Sequence, residues 1–270
     1  MNLDFTTSKS TLSRVGLACP SAVLEDSLFR YGIDAPGLVR RFFSAALGLL
    51  AVALLVGAFV SPLAQWGVIS LAGYPFGMGC LMLYESLVWK LRASKAILDL
   101  AAWTGSEQVL DVGCGRGLML VAAAHRLTSG TAVGVDLWRA KDQAANGPQA
   151  TLHNAGLDGV ADRVRVETAD MRALPFADGR FDIVVSNWAL HNLDAQGDRA
   201  QAQSEMLRVL RPGGRVLLAD IALRHEYLAR LRALGAKDVA IVVPNPIKDR
   251  LLRLVSFGSY QPSTVVATRA

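Results

Sequence analysis

The chain has 270 residues, a hydrophobic fraction of 52% and a formal net charge of +5, from 28 basic and 23 acidic side chains. This length accommodates one large domain or one domain with an appendage. Three isolated cysteines, Cys19, Cys80 and Cys114, exclude a disulfide framework and a cysteine metal site. No basic run is interleaved with aromatic residues, and the charge pattern therefore disfavours a nucleic-acid-binding surface.

Residues 1–41 are interpreted as an N-terminal segment, partly disordered because its first twenty residues are rich in serine and threonine. This segment has no apolar core of the signal-peptide type. Between residues 22 and 41 we expect a short amphipathic helix and a turn at residues 34–37.

Two long uncharged runs follow, at Phe42–Val60 and Gly67–Tyr84. The first is about the length that crosses a hydrocarbon core of roughly 30 Å. Basic side chains flank both outer ends but not the loop between the runs, which predicts that both ends lie in the cytoplasm. We therefore predict a transmembrane hairpin over residues 42–89, with two buried helices of a soluble protein as the alternative. Gly73 and Gly77 have the spacing that allows close helix packing.

After the hairpin, β-rich runs alternate with helical stretches, which predicts a parallel sheet covered by helices on both faces. The predicted strands are Gln108–Val112, Thr131–Asp136, Val164–Thr168, Phe181–Ser186, Arg215–Asp220, Asp238–Val243 and Thr264–Thr268. The predicted helices are Ser94–Trp103, Gly117–Leu127, Lys141–Ala155, Gly197–Leu210 and Glu226–Leu234. Ligands of such sheets bind at the carboxyl ends of the strands, where we looked for functional residues.

The first strand runs into a glycine-rich loop, DVGCGRG at residues 111–117, whose backbone can approach a ligand beside a helix N-terminus. The second strand ends about twenty residues later at Asp136, where a carboxylate can accept hydrogen bonds from ribose hydroxyls. Leu118 replaces the third glycine of a dinucleotide-binding loop, and the sequence has no GxxxxGK[ST] phosphate loop. The pattern favours a ligand with a ribose and an adenine but no pyrophosphate.

Four motifs in order resemble those of class I S-adenosylmethionine-dependent methyltransferases, type 11-like: DVGCGRG, GVD, ADMRALPFADGRFDIVVSNWALHNL and RVLRPGGRVLLAD. The resemblance implies an α/β fold with a Rossmann-like sheet of seven strands, the last one antiparallel, and helices on both faces. We assign residues 90–270 to this domain. The YGIDAP-like segment, the hairpin and the domain together resemble a membrane-associated subgroup in bacteria and plants.

The resemblance implies S-adenosylmethionine as the cofactor and assigns its contacts. Asp111 orders the loop near the methionine amino group, and the backbone of the loop glycines passes close to the cofactor. Asp136 holds the ribose, Asp170 accepts from the adenine amino group, and Asn187 lies near the methionyl part. The complete set is Asp111, Gly113, Gly115, Gly117, Asp136, Leu137, Trp138, Asp170, Met171 and Asn187.

Such an enzyme displaces the methyl group from a sulfonium in line, mainly by positioning the reactants and excluding water. For an acceptor that needs a base, His191 lies just past the fourth strand and has a suitable pKa; a hydrogen bond to a loop backbone is its alternative role. Tyr84, Glu85 and Trp89, at the end of the second apolar run, are candidates for closing the site or for interfacial anchors. The stretch Pro244–Tyr260 interleaves leucines with arginines, which suits either a membrane-contacting helix or a surface helix.

These observations predict a membrane-anchored methyltransferase (EC 2.1.1.-) with two transmembrane helices and a catalytic domain that faces the cytoplasm. Because the hairpin directly precedes the domain, we expect a small, lipophilic acceptor, either a small molecule or a lipid. The alternative is a membrane-bound scaffold or regulator that binds the cofactor without turnover. Nucleic-acid methylation is disfavoured, since NWAL follows the fourth strand instead of [DNS]PP[YFW].

Overall fold

The computed structural model describes residues 30–139, 143 and 145–270. The disorder predicted for the first twenty residues lies outside the described residues, as does most of the helix expected between residues 22 and 41. Within the described residues, the chain forms a helical hairpin followed by an α/β domain.

The hairpin consists of helix α1, Pro36–Phe59, and helix α2, Pro62–Tyr84, joined by Val60 and Ser61. Each helix begins with a proline, whose missing amide donor is harmless at the first helical position. Both are long and apolar enough to cross a membrane. Core helices of soluble proteins also meet this criterion but are mostly buried, whereas only 11% of the most apolar window of α1 is buried.

Small residues mediate the packing of α1 against α2, but not the pair that the sequence suggested. A Cβ at Gly79 would lie 2.9 Å from the ring of Phe43, and a Cβ at Gly57 would lie 2.3 Å from a side-chain atom of α2. Gly73 and Gly77 have nothing within 4 Å of the position of a Cβ. The prediction that their spacing brings the two helices together was therefore wrong, because both glycines face away from α1.

Helix α2 continues through a π-helical turn, Glu85–Trp89, into helix α3, Lys90–Leu98. A π-helical turn adds a residue to the helical register, which rotates the side chains that follow. Here Glu85 and Ser86 at the turn are buried. Helix α3 ends earlier than the predicted Trp103, whose indole nitrogen donates to the carbonyl oxygen of Leu98 at 2.8 Å.

Among the described residues, the domain contains seven strands and five further α-helices. The strands are β1 Gln108–Val112, β2 Thr131–Asp136, β3 Val164–Thr168, β4 Phe181–Asn187, β5 Leu210–Asp220, β6 Lys237–Val242 and β7 Ser263–Thr268. The helices are α4 Leu118–Ala124, α5 Pro148–Leu157, α6 Gln196–Val209, α7 Arg224–Ala233 and α8 Pro246–Val255. Helix α5 begins later than predicted, at a proline in the first helical position.

The strands form one sheet in the order β3-β2-β1-β4-β5-β7-β6. Strands β1 to β5 pair in parallel, and β7 runs antiparallel to both β5 and β6. Apolar clusters cover both faces, one around Leu98 and Leu120 and the other around Phe181 and Tyr227. The predicted fold of seven strands with the last one antiparallel is confirmed. The parallel strands all end at one edge, and this edge faces the hairpin.

Candidate active site

A cavity of about 470 Å³ lies where the parallel strands end. One side is polar and consists of the loop after β1 and the ends of β2 and β4. The opposite side is apolar and consists of side chains from α1 and α2. These apolar lining residues are Leu38, Phe42, Met78, Leu81 and Met82.

Asp111 is the most deeply buried acid of the site, with 1% of its surface exposed. Neither carboxylate oxygen has a hydrogen-bond partner among the described residues. Burial raises the pKa of Asp111 to about 8, and the negative charge of Asp136 adds to this effect. Because a buried carboxylate without a partner is costly, this position suits a ligand that brings a positive charge or a hydrogen-bond donor.

The glycine loop leaves its backbone open to the cavity. At the start of the loop, the amides of Gly113 and Cys114 both donate to the carbonyl oxygen of Val135, at 2.8 and 3.1 Å, which fixes the backbone there. Gly113 has a φ of +77°, and a Cβ there would lie 2.3 Å from that of Ala189. The Gly115 carbonyl accepts from the hydroxyl of Thr151 at 2.6 Å. The loop therefore forms a fixed cradle in which a side chain at Gly113 does not fit.

Asp136 closes the loop from the end of β2. Its Oδ2 accepts from the amide of Gly115 at 2.9 Å, and its Oδ1 accepts from the amide of Trp138 at 2.6 Å. A carboxylate has about four lone-pair sites, so acceptor capacity remains for a ligand. Leu137 lines the cavity next to it, whereas the Trp138 ring does not; its Nε1 donates to Thr168 at 2.8 Å.

The remaining predicted cofactor residues also form two groups, those that line the cavity and one, Gly117, that does not. Asp170, Met171 and Asn187 line the cavity. Hydrogen bonds from Arg172 hold the pKa of Asp170 below its usual value, and the closest of these is 2.6 Å. Gly117 lies behind the loop at the start of α4 with a φ of +87° and does not line the cavity.

His191 lines the cavity from a 3₁₀ turn after β4 and pairs with an acid that sequence reasoning missed. Its Nδ1 lies 2.5 Å from Oδ1 of Asp220. Asp220 is buried at the end of β5 and also accepts from the Tyr227 hydroxyl at 2.9 Å and the Ile221 amide at 2.7 Å. The signal in the sequence was an acid at a strand carboxyl end, the rule that identified Asp136.

A segment before α1 covers the glycine loop. The Lys90 ammonium is buried and lies 3.0 Å from Oδ2 of Asp34, and it donates to the carbonyl oxygens of Tyr31 and Gly32 at 3.1 and 2.7 Å. Gln143 also donates to the Tyr31 carbonyl, at 2.9 Å. Burial lowers the pKa of Lys90, and the charge of Asp34 opposes this effect. In the sequence Lys90 is one of the basic residues that follow the second apolar run, and the structure places it in the cavity wall.

Glu85 connects the hairpin to the far end of the chain. It accepts from Lys248 Nζ at 2.8 Å and from the Tyr260 hydroxyl at 3.1 Å. Burial, and then the charge of Glu85, raise the pKa of Tyr260. Glu85 and Tyr260 line the cavity, whereas the preceding residue Tyr84 is exposed and does not. The contact joins residues 175 positions apart, which no local pattern indicates.

The motifs and the fold recur in known proteins. A family profile described as a methyltransferase domain matches residues 110–218. This stretch is therefore similar to methyltransferase domains. It holds the glycine loop and the residues at the ends of β2 and β4, while the hairpin and α8 lie outside the matched residues.

Relatives of the methyltransferase domain occur in several bacteria. Methyltransferase GfsG of Streptomyces halstedii is 39% identical over 127 residues, which are 47% of this chain and 41% of that protein. A demethylmenaquinone methyltransferase of Roseiflexus castenholzii is 33% identical over 160 residues, 59% of this chain and 60% of that protein. The chain spans about half the length of the curated relatives that it matches.

Solved structures share the fold. The geranyl diphosphate C-methyltransferase from Streptomyces coelicolor A3(2), in complex with S-adenosyl-L-homocysteine, superposes with a TM-score of 0.54 at 19% identity. The match covers 70% of this chain and 83% of that one. Solved structures of this fold contain S-adenosyl-L-homocysteine or S-adenosylmethionine, the cofactor that the sequence predicted. The cradle at Gly113 and the partnerless carboxylate of Asp111 are features that fit such a cationic nucleoside.

Proposed function

We propose that the protein is a membrane-anchored methyltransferase that transfers a methyl group from S-adenosylmethionine to a small, lipophilic acceptor. In this proposal the two helices of the hairpin enter the membrane from the cytoplasmic side, where the catalytic domain lies. One observation carries the proposal: a single cavity is polar at the glycine loop and apolar between α1 and α2.

The polar side is suited to the cofactor. When bound, S-adenosylmethionine supplies a methyl group on a positively charged sulfur. Asp111 offers its buried charge to the cationic methionyl part, and Asp136 offers acceptor sites to the ribose hydroxyls. Leu137 and Met171 provide apolar surface for the adenine, and the adenine amino group can donate to Asp170. Asn187, which also lines the cavity, would lie near the methionyl part.

The apolar side is suited to the acceptor. Its lining comes from the domain-side ends of α1 and α2, where Phe42, Met78 and Met82 present flexible or aromatic side chains. Farther along, the same two helices expose large apolar side chains, such as Leu54 and Leu63. A compound dissolved in the bilayer would then reach the cavity along the hairpin without crossing water.

His191 and Asp220 are suited to remove a proton from the acceptor. Asp220 holds Nδ1 of the imidazole at 2.5 Å, which orients the ring and stabilises its protonated form. The carboxylate is itself fixed by Tyr227 and by a backbone amide. An acceptor hydroxyl, or a carbon made acidic by its neighbours, needs such a base before it can attack the methyl group.

The proposal is tested with the full-length protein reconstituted into vesicles with a membrane extract and S-adenosylmethionine labelled in its methyl group. Label is expected in the organic phase, and a demethylated quinone is one acceptor to add, because the Roseiflexus relative is named for it. The matched control is Asp136→Ala, which removes the carboxylate that closes the glycine loop. Tight cofactor binding without transferred label would favour the scaffold or regulator.

A further inference from the structure

Helix α8 carries an exposed apolar strip outside the residues that the family profile matches. Ile247, Leu251, Leu254 and Phe257 are 58 to 87% exposed. Their spacing of four, three and three residues places them along one face of the helix and the turn that follows. The opposite face packs inward through Leu252, which is buried.

The charges of α8 are arranged around this strip. The acidic Asp249 is buried and lies 3.3 Å from the guanidinium of Arg224 in α7. Arg250 and Arg253 are exposed and lie on the same flank of the strip. The outward side of the helix is therefore apolar with a basic border, a combination that fits the headgroup region of an anionic bilayer.

The strip is continuous with the hairpin. The hydroxyl of Tyr74, in α2, donates to the carbonyl oxygen of Val255 at 3.2 Å. The rings of Tyr74 and Phe257 lie with their centroids 6.0 Å apart. The end of α8 therefore lies level with the middle of α2, and a bilayer in contact with α8 has its surface near Tyr74.

This level limits how far the hairpin reaches. Twelve residues separate Pro62 from Tyr74, which is about 18 Å of helix at about 1.5 Å per residue. The hydrocarbon core is roughly 30 Å thick, so one leaflet contributes roughly 15 Å. The domain-side part of the hairpin is occupied in lining the cavity, through Phe42 and Met82 among others. The part of the hairpin between its tip and Tyr74 is therefore long enough to enter one leaflet but too short to cross both.

The tip of the hairpin is consistent with burial in a bilayer. Val60 and Ser61 form the whole connection, and neither is charged. The hydroxyl of Ser61 accepts from the amide of Ala64 at 3.1 Å, and the amide of Ser61 donates to the carbonyl oxygen of Val56 at 3.1 Å. The polar groups of Ser61 thus find partners inside the hairpin.

We propose that α8 and Phe257 lie in the headgroup region of an anionic bilayer, and that the hairpin beside them enters one leaflet without crossing the membrane. This arrangement differs from the two transmembrane passes predicted from the sequence. Like the proposed function, this arrangement requires a membrane, but it does not require methyl transfer. It also places the apolar end of the cavity just outside the leaflet from which the acceptor would come.

The test measures depth in vesicles of zwitterionic and anionic lipids. An environment-sensitive fluorophore is attached to full-length Leu254→Cys or Ser61→Cys, with Cys19→Ser and Cys80→Ser as the background. Cys114 stays, since burial raises the pKa of its thiol and keeps it unreactive. Nitroxide lipids are expected to quench position 254 most strongly from the headgroup level and position 61 from the chain ends. Leu157→Cys, exposed on α5, is the unquenched control.

Four results would overturn the proposal. If the fluorophore at position 254 is not quenched and reports water around it, α8 does not touch lipid. If it is not quenched but reports an apolar environment, the strip packs against a second copy of the chain. Labelling of position 61 by an impermeant thiol reagent trapped inside the vesicles would show that the hairpin spans. Replacing Arg250 and Arg253 with glutamine is expected to weaken binding to anionic vesicles by about fivefold per arginine, and unchanged binding would contradict the headgroup contact.

Failure of this inference is distinguishable from failure of the proposed function. The quenching pattern without transfer of label would leave the membrane arrangement standing and overturn the methyltransferase activity. Transfer of label to a lipophilic acceptor with position 254 in water would do the reverse.

Discussion

The two sides of the cavity are built in different ways. The cofactor side consists of residues that follow strand ends, and each lies within a few positions of a recognisable motif. The apolar side, which we propose as the acceptor side, consists of side chains from α1 and α2, and a contact between distant residues, Glu85 with Tyr260, joins this hairpin to the far end of the chain. The fold therefore explains the cofactor side, whereas the features specific to this protein lie in the segments that cover it.

The largest expected effect comes from a substitution that impairs the cofactor side alone. Gly113→Val would place side-chain atoms against Ala189 in a backbone conformation that valine rarely adopts. We expect cofactor affinity to fall by more than about a thousandfold, equivalent to about 4 kcal/mol. Gly159→Val is the matched control, because that glycine has a φ of +68° but open space around it. Calorimetric titration of both variants with the cofactor separates the collision from the backbone strain.

The next effect concerns the pair of His191 and Asp220. His191→Ala is expected to lower kcat by about a hundredfold or more, since general bases contribute about that much, and to leave cofactor affinity unchanged. Asp220→Asn acts through the imidazole, and we expect a smaller loss together with a shift of the pH profile of kcat. An unaltered pH profile in both variants would show that the pair has only a structural role.

A smaller effect follows from the pKa of Asp111, which burial raises to about 8. Its folded-state pKa exceeds the unfolded value, so the contribution to stability is complete below pH about 4 and is lost as the pH rises through about 8. A cationic cofactor favours the ionised form, and its affinity should therefore rise with pH by up to about tenfold per unit below pH 8. Asp111→Asn should flatten this dependence, while Asp170→Asn should retain it.

The smallest effect comes from a substitution that alters the acceptor side alone. Phe42→Ala removes an aromatic side chain from the apolar wall of the cavity. We expect the KM for a lipophilic acceptor to rise by about fivefold to tenfold, since partial loss of apolar contact costs about 1 kcal/mol. Cofactor affinity should not change. Leu47→Ala, exposed on the same helix, is the control. Equal effects on both substrates would contradict the division of the cavity into two sides.

The sequence predicted the sheet and most of the cofactor side because both depend on local patterns. The bounds of β1, β2 and β3 agree with the predicted ones, since apolar runs between polar residues define buried strands. Side-chain direction was harder to predict. Trp138 adopts a φ of +58°, which local pattern does not reveal, and its ring lies outside the cavity.

The acceptor side was predicted less well because its contacts join distant positions. Periodicity indicates an apolar helix but not which of its faces lines a cavity, so the sequence did not separate Glu85, which lines the wall, from Tyr84, which does not. The π-helical turn at Glu85–Trp89 changes the helical register at this point. Lys90 looked like a membrane flank because its partner, Asp34, lies 56 positions away.

The central claim is that one cavity joins a cofactor at the glycine loop to an acceptor delivered along the hairpin. The most direct measurement compares methyl transfer into the organic extract of vesicles by the wild-type chain and by Met82→Glu, which places a charge on the apolar wall. We predict that the variant binds the cofactor as tightly as the wild type but transfers at least about tenfold less label into lipid. Label that appears only in water-soluble products, at the same rate in both proteins and regardless of vesicles, would contradict the account.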